Sequence, residues 1–184
     1  MDRPRILIIT GSLRAASFNR QLAAALTGLL QPGADVEHAA IGQLPHFNQD
    51  QEQHFPPAAV AFREQVAAAD AVLFVTPEYN RSIPGVLKNA IDIGSRPYGQ
   101  SVWAGKPAAV CGTSPGAPGT ALAQQHLRNI LAHLDMPVLG QPEVFLRHRD
   151  GLFDDQGRIA DAGTADFLRG FCARLLEWIA LHRR

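Results

Sequence analysis

Arg5-Ile6-Leu7-Ile8-Ile9-Thr10-Gly11-Ser12-Leu13-Arg14-Ala15-Ala16-Ser17-Phe18-Asn19 is the stretch that decides the architecture. Its first part is a continuous apolar, β-branched run that stops at a glycine, the pattern of a strand covered on both faces in a parallel sheet. After Asn19, residues Leu22, Ala25, Leu26 and Leu29 recur at helical spacing and Pro32-Gly33 closes the segment, so 18–30 reads as a helix. Working outward, the same alternation continues. A weaker strand falls near 35–39, and 40–57, with Gly42, Pro45, Pro56 and Pro57, reads as a long surface loop. Then come helix 58–69, strand 71–76, helix 83–93, strand 108–113, helix 119–133 and a short strand at 136–139 that completes five. Phe167, Leu168, Phe171, Leu175, Trp178 and Ile179 form an apolar stripe that makes 162–182 the closing helix. Strands that alternate with helices in this way predict a parallel α/β sheet with helices on both faces. Between the fifth strand and the last helix, 143–147 reads as a short extended segment and 153–158 as a turn, and neither is assigned a function.

The chain has 184 residues, enough for one domain over 1–184 built around one sheet. Seventeen basic residues balance seventeen acidic ones, so no net field favours nucleic acid or an anionic membrane, and a small-molecule partner is the simpler expectation. The apolar run Ile6–Ile9 is too short for a signal-peptide core or a membrane span, and a cytoplasmic protein is expected. Cys111 and Cys172 form no C-x-x-C pair and read as reduced, buried thiols. The seven histidines are scattered with no H-x-x-x-H pair, so no metal site is expected.

In an open parallel sheet, ligands bind beyond the carboxyl ends of the strands, where the strand order reverses. Three unusual segments reach that edge. Thr10–Asn19 offers hydroxyls at Ser12 and Ser17, the Asn19 amide, the Arg14 guanidinium and free N–H groups at a helix start, a donor set for a terminal phosphate. It is neither a P-loop nor a G-x-G-x-x-G fingerprint. The blander role for Ser17 or Asn19 is to cap the helix. Thr76–Asp92 carries Pro77, Glu78, Tyr79 and Asn80 on a loop stiffened by Pro77 and Pro84, suited to laying amides and an aromatic edge beside a planar ring. Within it, Lys88 and Asp92 read as an ordinary i,i+4 pair. Gly112–Thr120 holds Gly112, Gly116 and Gly119 with two prolines, so its backbone is able to approach a flat ligand closely, although a plain turn has the same composition.

The first of these loops, Gly11-Ser12-Leu13-Arg14 with Ser17 and Asn19, together with Pro77-Glu78-Tyr79-Asn80 running into Ser82-Ile83-Pro84-Gly85 and Leu87–Asp92, resembles the NADPH-dependent FMN reductase family. The resemblance spans almost the whole chain. It implies a flavodoxin-like fold with a doubly wound five-stranded parallel sheet in the order 2-1-3-4-5. It also implies FMN as cofactor, NADPH or NADH as co-substrate, and a quinone or similar small acceptor. Carried over residue by residue, Gly11, Ser12, Leu13, Arg14, Ser17, Phe18 and Asn19 hold the FMN phosphate. Pro77, Glu78, Tyr79 and Asn80 lie along the isoalloxazine ring, and Ser114 touches the flavin. Where the family often has paired glycines in its third loop, this chain has Ala117-Pro118-Gly119. Homodimers or homotetramers are implied, with Arg81 and the helix over 83–93 near the subunit contact.

If the reactive atoms belong to FMN, no protein acid, base or nucleophile is needed for hydride transfer, which accounts for the absence of a triad or a carboxylate dyad. One open flavin face then serves nicotinamide and acceptor in turn, a ping-pong exchange. The alternative is a flavodoxin-type electron carrier, whose docking face is usually acidic where this chain is neutral overall. A phospho-receiver module is excluded, because Gly11-Ser12 and Thr76-Pro77 stand where it needs carboxylates.

Overall fold

The computed structural model describes residues 2–154 and 156–183. Its elements run β1 (Arg5–Thr10), α1 (Phe18–Leu30), β2 (Asp35–His38), α2 (Pro57–Ala68), β3 (Ala71–Val75), α3 (Gly85–Gly94), β4 (Ala108–Ser114), α4 (Ala121–His133), β5 (Val144–Arg147) and α5 (Ala162–His182), with one 3-10 turn at Gln49–Gln51. The five strands form one parallel sheet in the order β2-β1-β3-β4-β5, a flavodoxin-like arrangement. Ile6 lies opposite Ala71 and Ile9 opposite Phe74 in the β1–β3 register.

The period of two in each strand divides the core in half. Ile6, Ile8, Leu73, Val75, Ala109 and Cys111 point to the face packed by α1 and α5. Leu7, Ile9, Val72, Phe74, Ala108 and Val110 point to the other, beneath α2, α3 and α4. Both faces of the central strands are therefore apolar, which is why their sequences read as unbroken hydrophobic runs. On the second face Trp103 is fully buried between Phe62 and Phe74 and donates its indole N–H to the Ile91 carbonyl at 2.9 Å. β2 sits at an edge and is largely exposed, with Arg5–Glu37 and Arg3–Asp35 ion pairs along it, charges of the kind that keep an edge from recruiting another strand.

The fifth strand is not at 136–139, as the sequence reading expects. Val138 makes only an isolated bridge to Ala108, and the strand that pairs with β4 is Val144–Arg147. Pro137 and Pro142 each lack an N–H, so the stretch between them closes few ladder bonds. Toward β4, the Pro137 and Leu139 backbones bond Ala108, at its start, while the Pro137 carbonyl also accepts from the Trp178 indole and the Leu139 carbonyl from Arg128. Farther along, β4 is free to pair with 144–147, where Val144 is buried and Phe145 and Arg147 are exposed, an edge pattern less apolar than the run it displaces. No helix of the described residues is long and apolar enough to cross a membrane.

Candidate active site

Strand order reverses between β1 and β3, and there the loops after β1, β3 and β4 converge. Their approach is close. A Cβ on Gly112 would lie 2.2 Å from the Thr76 carbonyl oxygen, so only glycine lets the β3 and β4 backbones meet there, and one on Gly11 would crowd Thr76 Oγ1 at 3.0 Å.

Ser17 is the N-cap of α1, its side chain accepting from the Arg20 N–H at 3.4 Å. That use of an oxygen lone pair leaves the buried hydroxyl's own proton to donate. Ser12, at the loop's start, is buried as well. Phe18 and Asn19 begin the helix, where the first N–H groups have no intrahelical acceptor. The Asn19 carboxamide, expected as a phosphate donor, is committed elsewhere. Its Nδ2 donates to the Thr113 carbonyl at 2.8 Å and its Oδ1 accepts from the Thr113 N–H at 2.9 Å. The reason lies in the sheet. The Cys111 carbonyl accepts from Thr76, so two residues on, Thr113 presents its backbone groups to the same side, past the end of β3. Asn19 substitutes there for the missing strand.

Glu78, expected along the ring, likewise turns to a neighbour. Its Oε2 accepts from the N–H groups of Leu122 at 3.1 Å and Ala123 at 3.3 Å, and its Oε1 from Arg81 Nη1 at 3.1 Å. The N-cap of α4, Thr120, sits at φ 76° and gives no side-chain cap, so a carboxylate from another loop satisfies the helix start and meets its positive dipole end. Tyr79 and Ser82 exchange both backbone hydrogen bonds across Asn80 (φ 52°) and Arg81 (φ 66°), which makes a tight turn of the I′ kind. Asn80 tolerates that left-handed conformation well, and Arg81 less so. The Arg81–Glu78 pair and a 3.0 Å contact between Ser82 Oγ and His126 Nδ1 hold the turn against α4. Tyr79 and Asn80 are thereby displayed at the exposed tip. Lys88 and Asp92 form the plain i,i+4 pair at 2.8 Å.

Ser114 closes the edge, its hydroxyl donating to the Gly116 carbonyl at 3.3 Å and its own carbonyl accepting from the His148 N–H at 2.8 Å. His148 is a neighbour that local sequence signals do not reveal. Its ring stacks on Phe18 with centroids 3.5 Å apart, and the Arg14 guanidinium lies over the Phe18 ring at 4.7 Å. Burial, aided by Arg14 and opposed by Asp150, holds the imidazole below its ordinary pKa, so it is neutral at pH 7. Only the pairing of β5 with β4 brings it to the β1 loop.

Among the lysines and arginines of the described residues, Arg14 and Arg20 alone lack a hydrogen-bonded or ion-paired side-chain partner. Both flank the start of α1. The cysteine side chains lie in the core beneath α1 and α5, buried and free, with burial pushing the Cys172 thiol up to about 12 and the Cys111 thiol higher still. Among the described residues no three histidine, cysteine or carboxylate side chains gather as a metal site would need.

A doubly wound sheet whose strand order reverses beside Arg14, the buried Ser12 and Ser17 and a helix start on its first loop, and a pinned aromatic turn on its second, defines a flavodoxin-like protein with its candidate site at that edge. The chain belongs to the NADPH-dependent FMN reductase family, which it matches over residues 4–150. It is 49% identical over 175 residues to a 2-hydroxy-1,4-benzoquinone reductase from a Burkholderia species, covering 95% of this chain and 96% of that one. A quinone reductase of Pseudomonas putida is 48% identical over 179 residues, covering 97% and 96%. Among solved structures, a flavoenzyme NAD(P)H:(acceptor) oxidoreductase from Paracoccus denitrificans superimposes with a TM-score of 0.94 at 41% identity, covering 97% of this chain and 98% of that one.

Proposed function

We propose that the protein is an NAD(P)H-dependent oxidoreductase that reduces quinones and similar small acceptors through a resident FMN. The observation that carries this reading is the β1 loop: Arg14, without a hydrogen-bonded or ion-paired partner among the described residues, shares with the buried Ser12 and Ser17 the loop that leads into a 13-residue helix. That donor set suits a dianionic terminal phosphate. Arg14 would supply charge, Ser12 and Ser17 their O–H donors, and Phe18 and Asn19 their backbone N–H groups. Pro77, Tyr79 and Asn80 would flank the ring on one side and Ser114 on another. Bound FMN would supply the chemistry, accepting hydride from the nicotinamide and passing two electrons to the acceptor. The protein's own task is position: Asn19 ties the phosphate loop to β4, and Glu78 ties the ring loop to α4. Quinone reduction by the Burkholderia and Pseudomonas relatives supports the choice of acceptor.

The same reading carries a single cytoplasmic domain over 1–184 that assembles as a homodimer or homotetramer, with Arg81 and α3 toward the partner. The test of function is anaerobic addition of NADPH or NADH to the flavin-loaded protein, with the released flavin identified by chromatography. Bleaching on the timescale of turnover, with FMN recovered, is expected. A flavin that stays oxidised would overturn the reductase reading in favour of a flavodoxin-type carrier, and recovery of FAD would overturn the phosphate assignment.

A further inference from the structure

The flavin reading gives Arg14 to the phosphate without saying what holds that side chain in place. Arg14 is exposed and has no hydrogen-bonded or ion-paired partner among the described residues. An arginine in that state has rotamer freedom to lose when a ligand arrives. Its guanidinium lies over the Phe18 ring, 4.7 Å from the centroid. Phe18 opens α1 and is itself only half-buried, so its ring needs a support of its own. His148 supplies it. The imidazole stacks on Phe18 with centroids 3.5 Å and planes 18° apart, the closest ring pair among the described residues. Phe153 adds a third near-parallel ring, 6.2 Å from His148 at 24°, and packs in turn against the core beneath α1 and α5. A column of Arg14, Phe18, His148 and Phe153 thus links the β1 loop to the core.

His148 is placed for its flat face and not for its nitrogens. Its main chain is fixed independently of the ring, because the His148 N–H donates to the Ser114 carbonyl at 2.8 Å, one step past the Ser114–Arg147 register of β4 and β5. Its buried Nδ1 has no hydrogen-bond partner among the described residues, so no polar contact at that atom orients the ring. The charged groups that act on it are Asp150 from its own segment and Arg14 from the β1 loop, and burial keeps the imidazole neutral at pH 7. A neutral ring brings no second cation to Arg14, so the column orients the guanidinium without repelling it.

We propose that His148 is a positioning residue for the flavin phosphate: stacked on Phe18, it holds that ring against the Arg14 guanidinium and so sets Arg14 before the ligand binds. The role rests on the FMN reading above. A double-mutant cycle on FMN affinity tests it, by fluorescence titration of the flavin-depleted protein at neutral pH. His148→Ala keeps the backbone N–H to Ser114 and should weaken FMN binding by about threefold to tenfold, the worth of ordering one long side chain. In an Arg14→Ala background the same change should cost nothing further, since the side chain it serves is gone. His148→Phe should bind FMN as wild type does, because it keeps the flat face. His148→Leu, which fills the space without a ring, should lose most of what His148→Ala loses, and it carries the test if His148→Ala does not fold. Wild-type affinity in His148→Ala or His148→Leu, losses that simply add to that of Arg14→Ala, or a weakened His148→Phe would overturn the role. Failure of the reading beneath it looks different. Unchanged FMN affinity in Arg14→Ala removes the phosphate assignment and this role with it, whereas a loss in Arg14→Ala with none in His148→Ala removes the role of His148 alone.

Discussion

Replacing Asn19 tests how the site is held together. In Asn19→Ala the N–H and C=O of Thr113 lose both partners in a place sealed from water, since Asn19 is 2% and Thr113 1% exposed. A buried backbone group left unpaired costs about 1–3 kcal/mol, so the pair should cost about 2–5 kcal/mol. With a urea dependence of about 2 kcal/mol per molar, the unfolding midpoint should fall by roughly 1–2.5 M. Asn19→Asp should recover little, because it keeps the acceptor for the Thr113 N–H and sets a second oxygen against the Thr113 carbonyl. The decisive measurement is urea unfolding of the FMN-free protein. If the carboxamide instead served the phosphate, the FMN-free variant would be as stable as wild type and only flavin affinity would suffer. A loss below about 1 kcal/mol without FMN would refute the reasoning.

Arg14→Ala with Ser17→Ala should weaken FMN binding by about 1.5–3 kcal/mol per charge-assisted bond lost while the protein stays folded, and unchanged affinity by fluorescence titration would remove the phosphate assignment. Glu78→Gln should loosen the start of α4, so the Leu122 and Ala123 amides should exchange hydrogen faster than in wild type, with slower reduction of bound flavin; unaltered exchange would show that the carboxylate is not their cap. Cys111→Ala and Cys172→Ala should turn over normally per bound flavin, and a loss of reduction with FMN bound would place a redox centre on a thiol. Because burial raises both thiols above the unfolded value of 9, the folded state holds protons that the unfolded state releases, so their contribution is complete below pH 9 and declines from there through pH 12. Cys172→Ala should flatten that decline in pH-dependent unfolding. Double-reciprocal plots for NADPH at several fixed quinone concentrations should be parallel, and intersecting lines would mean that both substrates occupy the site together.

The strands β1, β3 and β4 and the helices between them were legible because a strand covered on both faces must be apolar throughout, and a helix packed on one side must be apolar every third or fourth residue. Family resemblance, carried by the β1 loop and the Pro77–Asn80 turn, supplied the winding order and the cofactor class. Contacts made across the fold were not legible. Asn19 serves Thr113, 94 positions away, and Glu78 serves α4, 44 positions away, so a polar residue that looks like a ligand donor in its own loop is claimed by a backbone group the local sequence does not contain. β5 was misplaced for the same reason, since edge pairing depends on where β4 still has free N–H and C=O groups and not on which short run is more apolar. Periodicity and composition determine what each segment is. Which buried donor meets which acceptor, and so which arginines are left free for a ligand, is decided only when the packed chain has excluded water and every remaining polar group must find a partner within reach.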